Sequence, residues 1–350
     1  MLSQLKCLQI ACQNLGIPFE TLDKNGNFIV ISPNQQKQNS QTNSNSKTEN
    51  SQENSEENPI SQTNLETLKT NLENNPQTNL EIKKNQEKPG KNNIKTGTKI
   101  DAKIENKTQL YLVNSQTPFN SQDSVAVCKD KFFCFLTLQN SIKQPQTLSF
   151  LDPFCGNNYK EYLECENFGQ IEEFIKKKLD FPLIIKPNSG SLGVNVQKVE
   201  NKNELKIAIE KIFDTKSRDY DYVMIAQEYV KIDQEFRVIT VNGIVELIYQ
   251  KDISSAEFVG NLSPLHWQGF KTNIIENKEF ISKIQEFINP IFAKLPNLFW
   301  AGLDIVIDQS GELFLIEINT HPGFSLFLST QESHHIENLY QTALTKFLNL

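Results

Sequence analysis

Asp304, Glu317 and Asn319 are the residues of this sequence best suited to act as a chemical set. They fall in two apolar runs, 301–308 and 313–319, joined by a polar segment, 309–312, that contains Gly311. That pattern predicts a β-hairpin. With 309–312 as the loop, Asp308 faces Leu313, Val306 faces Leu315 and Asp304 faces Glu317. Directly opposed side chains stand about 4.5–5.5 Å apart at Cβ. Two carboxylates at that spacing repel, and burying them among apolar neighbours without a partner is costly. A divalent cation would remove both problems. Asn319 lies two residues beyond Glu317, so it points to the same face and adds a neutral oxygen. Such a hard-oxygen set suits Mg²⁺ or Mn²⁺ rather than zinc. The plainer alternative leaves one carboxylate in solvent at a strand end.

Two further stretches carry chemistry. The run 181–186 predicts a short buried strand that delivers Lys186 to its end, and Asn188-Ser-Gly-Ser-Leu-Gly193 follows as a polar glycine loop. Gly190 and Gly193 let backbone N–H groups approach phosphate oxygens closely. The order is neither that of a Walker loop nor that of a dinucleotide-binding fingerprint. A simple hairpin turn would use the same residues. In Gln227-Glu-Tyr-Val230, with Glu235 five residues on, a strand leaves its edge and an acid follows. A hinge backbone can hydrogen-bond an adenine edge, and a carboxylate can hold ribose hydroxyls.

The elements that must position these residues can be read from periodicity. Residues 2–15 predict an amphipathic helix through Leu5, Leu8, Ile10 (or Cys12) and Leu15, ended by Gly16. Segments 17–20, 27–31 and 110–113 predict short strands, and the first two are too small to fold without a partner beyond residue 108. Residues 121–138 predict a helix, and so do 168–179, 203–213, 280–295 and 338–348. Segments 194–199 and 222–226 predict strands. Segments 236–241 and 244–249 predict a hairpin whose Asn242-Gly243 turn is of type I′.

Hydrophobic content is 38%, low for a globular chain, and the deficit has one location. Between Val30 and Tyr111 there is no aromatic residue, valine or cysteine. Segment 33–108 is rich in Asn, Gln, Ser, Thr, Lys and Glu, and cannot bury enough apolar surface to offset its ordering entropy; it reads as a disordered insertion or linker. Net charge is −7, which argues against nucleic acid or an acidic membrane as partner. Six cysteines without a C-x-x-C spacing, and no leader segment, predict reduced thiols in a cytoplasmic protein. They read as small packed hydrophobes. No apolar run approaches the roughly 18 residues of a membrane span.

The ordered set resembles the ATP-grasp superfamily of carboxylate–amine ligases. The residues that carry the resemblance are Lys131 in Lys129-Asp-Lys131, Lys186 with the loop to Gly193, Gln227-Glu-Tyr-Val230 with Glu235, Asp304, and Glu317-Ile-Asn319 with Pro322-Gly323. The resemblance covers about 109–350, with 1–32 joining the N-terminal domain. It implies an α+β architecture: a small N-terminal α/β domain (1–32 and 109–145), then two α+β subdomains, 146–226 and 227–350, that clamp ATP. It implies that Lys131 and Lys186 contact the nucleotide phosphates, that Gly190, Ser191 and Gly193 belong to the loop closing over them, and that Gln227, Glu228 and Val230 meet adenine while Glu235 meets ribose. Asp304, Glu317 and Asn319 then hold Mg²⁺ (or Mn²⁺). The implied reaction is phosphorylation of a carboxylate by ATP and attack on the acyl phosphate by an amine or thiol. Small-molecule carboxylates and amines, amino acids or peptides, are the implied substrates, and a homodimer is the common assembly. An ATP-binding regulatory or scaffold protein without turnover is the second reading.

Two departures separate the chain from the D-alanine–D-alanine ligase branch. There an arginine precedes the first metal aspartate by two residues; here that position is Gly302. The glycine loop is also one residue shorter. Both features look closer to the branch of cyanophycin synthetase and the ribosomal-protein glutamate ligases. In that branch a basic residue ends the strand after the Asn-Gly turn, here Gln250 or Lys251. Strict pairing sets Glu235 opposite Gln250 with Arg237 on their face, and Lys251 joins them only through a bulge. Arg237 and Lys251 are the expected contacts for the γ-phosphate or the acyl phosphate. Asn261-Leu-Ser263 stands where the superfamily often contacts phosphate. His321 reads as a structural histidine, His334 and His335 as solvent-facing or helix-capping, and Trp267 and Trp300 as packing residues.

Overall fold

The computed structural model describes residues 3–23, 28–33, 109–113, 116–254, 256–257, 260 and 268–350. The expected insertion beyond Pro33, Asn261–Ser263 and Trp267 lie outside the described residues.

The first helix, α1 (Gln4–Asn14), starts where Ser3 Oγ accepts from the Lys6 N–H and stops before Gly16, whose φ of 64° an L side chain would resist. Its buried stripe is Cys7, Leu8, Ala11 and Cys12, so the thiol rather than Ile10 faces inward. The small strands β1 (Phe19–Thr21) and β2 (Phe28–Ile31) form an antiparallel sheet completed by β3 (Leu110–Val113), the partner required from beyond the insertion.

The single helix expected over 121–138 is two: α2 (Gln122–Lys129) and α3 (Lys131–Leu138). Asp130 breaks it. Its backbone turns extended (φ −87°, ψ 103°) and its carboxylate accepts from the Phe133 N–H at 2.8 Å. A cap outcompetes continuation here because short acidic side chains bond free helix N–H groups well. Lys131 is thereby set on the first turn of a new helix.

The central sheet runs β4-β7-β5-β6, all antiparallel: β4 (Thr147–Leu151), β5 (Leu183–Pro187), β6 (Gln197–Val199) and β7 (Val223–Glu228). Helices α4 (Phe168–Lys178) and α5 (Lys202–Ile212) share a core with it through Ile171, Ile175, Leu205 and Ile209. Strand β4 had no sequence signal of its own. Strand β6 starts three residues later than expected, because Leu192, Gly193 and Asn195 all take positive φ and keep the chain looped.

The C-terminal sheet runs β10-β9-β8-β11-β12: β8 (Ile232–Val241), β9 (Ile244–Asp252), β10 (Lys271–Ile274), β11 (Trp300–Asp308) and β12 (Leu313–Asn319). The turn between β8 and β9 has Asn242 and Gly243 both at positive φ, as type I′ requires. One face of the sheet presents Phe236, Val238, Leu303, Ile305 and Ile318 to α3 and to α6 (Lys278–Lys294). On the other face Ile239, Val241, Tyr249 and Trp300 share a core with α1 and α8 (His334–Leu348), which the short α7 (Phe327–Thr330) precedes. Further along that face Val306 and Phe314 pack on Val230. Between these two apolar patches, on the same face, lie Arg237 and Asp304, since side chains two apart along a strand share a face. A fully buried aliphatic side chain contributes about 1.5–3 kcal/mol. The apolar patches on both sides therefore hold a charged cluster that would not assemble by itself.

Two register expectations change. In the β11–β12 hairpin Ile307 pairs Leu313 and Val306 pairs Phe314, so neither Asp308–Leu313 nor Val306–Leu315 is opposed. The loop is one residue longer than expected, because Asp308 Oδ1 accepts from the N–H groups of Ser310 and Glu312. A bulge between Asp304 and Ile305 then takes up the extra residue, and Asp304 does pair Glu317. In the β8–β9 hairpin a bulge between Ile239 and Thr240 sets Phe236 against Gln250 and Arg237 against Tyr249. That register turns Lys251 toward Glu235 and Arg237, and Gln250 away.

Candidate functional site

Asp304 is the hub. Arg237 Nε donates to its Oδ1 at 2.9 Å and Nη2 to its Oδ2 at 3.2 Å. Lys251 Nζ adds a contact to Oδ1 at 2.8 Å, and Asn319 Nδ2 donates to Oδ2 at 3.3 Å. The second carboxylate on Lys251 is Glu235, joined to it in an ion pair. These groups are buried or nearly so. Burial by itself would raise the Asp304 pKa; Arg237 and Lys251 outweigh it and hold the carboxyl below its ordinary range. Burial likewise disfavours the Arg237 and Lys251 charges, but Asp304 keeps both firmly protonated. Arg237 and Lys251 neutralise the buried Asp304 carboxylate, so it does not face Glu317 as an uncompensated charge. Hairpin spacing alone does not reveal them, because their side chains arrive from β8 and β9.

Glu317, opposite Asp304, is half-buried, and its Oε1 lies 3.6 Å from Lys131 Nζ. Lys131 also donates to the Gly190 carbonyl, so it ties the glycine loop to the C-terminal sheet. The loop's base is held by side chains that the sequence did not single out. Asn188 Oδ1 accepts from the Phe132 N–H at 2.9 Å and so caps α3, while Asp221 accepts from the Ser189 N–H at 2.8 Å. Ser191 and Gly193 sit in the loop itself, Gly193 at φ 67°.

Lys186 is buried at the end of β5 and donates to Gln227 Oε1 at 3.0 Å. Gln227 Nε2 donates in turn to Thr147 Oγ1 at 2.8 Å. The Gln227 side chain is therefore committed to orienting Lys186, while its backbone is paired between Thr147 and Ile184 inside the central sheet. Burial pushes the Lys186 pKa down to about 8, with Lys131 adding to the effect and Glu317 and Asp304 opposing it. Glu228 is exposed and its carboxylate accepts from the Gln146 N–H at 3.2 Å. Val230 is buried on Val306 and Phe314.

Lys131, Lys186, Gln227, Ile316, Glu317 and Ile318 line one cleft between the two sheets. Its free volume, ≈ 20 Å³, admits about one water. Among the described residues no three His, Cys, Asp or Glu side chains form a ready metal cage. Asp304, Glu317 and Asn319 still provide two carboxylates and an amide on paired strands. His321 is half-buried and sits 3.1 Å from Thr320 Oγ1, with burial lowering its pKa. His334 and His335 open α8, while Trp300 stacks on Tyr340 in the core.

The chain is similar in sequence to D-alanine–D-alanine ligases. D-alanine–D-alanine ligase from Borreliella afzelii is 28% identical over 251 residues, which span 64% of this chain and 63% of the relative. D-alanine–D-alanine ligase A from Bacillus cereus is 29% identical over 153 residues, 42% of this chain and 47% of the relative. The chain thus spans less than two thirds of the length of these relatives. Among solved structures, D-alanine–D-alanine ligase from Bacillus anthracis covers 66% of this chain and 69% of its own at 21% identity and a TM-score of 0.48. The ATP-grasp ligase PsnB covers 65% of this chain and 64% of its own at 16% identity and a TM-score of 0.45. No helix among the described residues is long and apolar enough to cross a membrane. The family description "D-ala D-ala ligase C-terminus" matches residues 158–337, from the 3₁₀ segment before α4 to the first turn of α8, more than half of the chain. With the Lys186, Gln227 and Asp304–Asn319 stretches all inside that match and carried on antiparallel sheets, the chain has the α+β ATP-grasp fold and belongs to the D-ala D-ala ligase C-terminus family.

Proposed function

We propose that the chain is an ATP-dependent ligase that joins a carboxylate to an amine, or to a thiol, through an acyl phosphate and releases ADP and phosphate. The observation that carries this reading is the convergence of Lys131, Lys186, Arg237 and Lys251 on the Asp304–Glu317 pair. So many cations from different elements around two carboxylates suit a ligand with several negative charges. A carboxylate oxygen of the first substrate attacks the γ-phosphorus, and the bond to the β–γ bridging oxygen breaks with ADP leaving. The nucleophile then attacks the acyl carbon, the bond to phosphate breaks, and the nucleophile gives up its proton.

In this reading Lys131, Lys186 and the loop of Gly190, Ser191 and Gly193 hold the phosphates. Glu228 and the backbone of Val230 meet the base, Gln227 orients Lys186 beside them, and Glu235, beside the Val230–Val306 floor, meets the ribose. Arg237 and Lys251 turn from Asp304 to the transferring phosphoryl group. Asp304, Glu317 and Asn319 supply the hard oxygens that Mg²⁺ or Mn²⁺ takes, and they fit it, since Asp304 and Glu317 are cross-strand partners and Asn319 touches Asp304. When bound, such a cation would offset phosphate charge.

Amino acids are the substrate class that the relatives' names support. Gly302 and the short glycine loop argue against D-alanine and for the cyanophycin synthetase and glutamate ligase branch, with Arg237 supplying from β8 the guanidinium that the other branch carries two residues before the aspartate. The test is ADP release from Mg²⁺–ATP with D-alanine and, separately, with glutamate and glutamate-ended peptides. We expect stimulation by the second set. Stimulation by D-alanine would overturn the branch assignment, and no stimulation beside intact ATP binding would overturn the ligase reading.

A further inference from the structure

Gln4 belongs to α1, far in sequence from every residue of the candidate site, yet its side-chain amide is fully used there. Its Oε1 accepts from the Phe324 N–H at 3.1 Å. Its Nε2 donates to the Pro322 carbonyl at 3.3 Å and to the Tyr340 hydroxyl at 2.8 Å. The residue is buried, so each bond is made away from competing water. Two of the three fasten the backbone on either side of Gly323. Pro322 in turn packs on Gly302, where its Cβ would lie 2.8 Å from any added Cβ, and Gly302 is flanked by the Arg237 side chain. A second amide from the N-terminal part acts nearby. Asn120 Nδ2 donates to the carbonyls of Thr320 and Trp300, and its Oδ1 accepts from the N–H groups of Phe299 and Trp300.

We infer that Gln4 is a positioning residue of the active site: it fixes the Pro322–Phe324 turn as the wall against which Arg237 is held beside Asp304. The inference rests on the ligase reading. A polar side chain kept on the otherwise apolar stripe of α1 follows directly, because its amide replaces bonds that the turn backbone would otherwise leave unmade.

The test is Gln4→Met, which keeps length and volume and removes the hydrogen bonds, set beside Tyr340→Phe, which removes the Gln4–Tyr340 bond and keeps both bonds to the turn. The full chain is used, with the amino acid that stimulates ADP release in the wild type. Gln4→Met should lower kcat on the order of ten- to a hundredfold through misplacement of the turn. The KM for ATP should stay within about threefold, since Lys186 and the glycine loop are untouched. Amide exchange should accelerate in the peptide covering 320–326 and stay unchanged in that covering 183–193. Tyr340→Phe should keep the wild-type kcat. Equal losses in both variants would reduce Gln4 to core packing and overturn the inference, as would wild-type kcat or unchanged exchange in Gln4→Met. If Gln4→Met does not fold, Gln4→Asn, which keeps the amide but shortens its reach to the turn by one methylene, takes its place, with the same measurements and the same outcomes supporting or overturning the inference. A wild type that no amino acid stimulates overturns the ligase reading and the inference with it, an outcome distinct from an active wild type matched by an equally active Gln4→Met.

Discussion

Replacing Gly302 by alanine adds one methyl group, and the surroundings leave it no room. The new Cβ would stand 2.8 Å from Pro322 Cβ, 3.1 Å from Arg237 Nη1 and 3.3 Å from Arg237 Cδ. Pro322 cannot yield freely, because its carbonyl is bonded to Gln4 and it is buried. Arg237 can yield only by loosening its two bonds to Asp304. Nor can the strand shift, since Gly302 pairs Ile239 on one side and Asn319 on the other. Overpacking of this kind costs about 1–3 kcal/mol, which lowers Tm by several degrees in a protein of this size. Part of that cost falls on the Arg237–Asp304 pair, so turnover should drop by about tenfold or more while ATP binding through Lys186 persists. Gly323 is the internal control. A Cβ there meets nothing within 4 Å, and its backbone does not take positive φ. Gly323→Ala should therefore change stability by less than about 0.5 kcal/mol, or raise it slightly. Calorimetric melting of both variants decides the matter. A Gly302→Ala protein that melts with the wild type, or a Gly323→Ala protein that falls as far as Gly302→Ala, refutes the packing argument.

Lys186 gives a pH dependence. Its folded pKa, about 8, lies below the ordinary 10.5 because it is buried. Between those values the unfolded chain binds a proton that the folded one has released, so stability should rise with pH across that window. Bound phosphate favours the charged amine, so ATP binding at about pH 9 should take up a proton, and affinity should fall as pH rises past about 8. Calorimetry in buffers of different ionisation enthalpy reads this; no uptake would remove Lys186 from the phosphate site. Glu317→Gln should abolish substrate-stimulated ADP release. Its contact with Lys131 is 3.6 Å long and partly solvated, worth less than about 1 kcal/mol, so the melting temperature without ligand should move little. A drop of many degrees would show that Glu317 holds the fold rather than the cation.

The sequence disclosed the facing of Asp304 and Glu317, but for a reason that was only partly right. The loop is one residue longer than its glycine and polar residues suggested, because the Asp308 side chain organises it, and a bulge removes the difference. Hydrophobic alternation constrains which residues share a face, so a bulge that restores the buried set is favoured over one that does not. The same logic explains Lys251. A bulge in the β8–β9 hairpin turns it onto the face of Arg237 and Glu235, where it pairs Glu235 and joins Arg237 in neutralising Asp304. Lone charges were legible in the sequence; their partners were not, since those lie on other strands and only register joins them. Gln4 left a weaker trace. It occupies the same stripe as Leu8 and Ala11, spaced four and three residues apart, the place where an amphipathic helix ought to be apolar. A polar residue kept on such a stripe implies a buried bond, and here that bond reaches the turn after Asn319. Strand β4 gave no such mark: with Thr147, Ser149 and a mixed burial pattern at the edge of the central sheet, its existence depends on β7, and through Thr147 it fixes Gln227 and so Lys186. The chemistry of this site is thus held by amides and hydroxyls whose roles are set by tertiary register, while the charged residues they hold are the ones a sequence can announce.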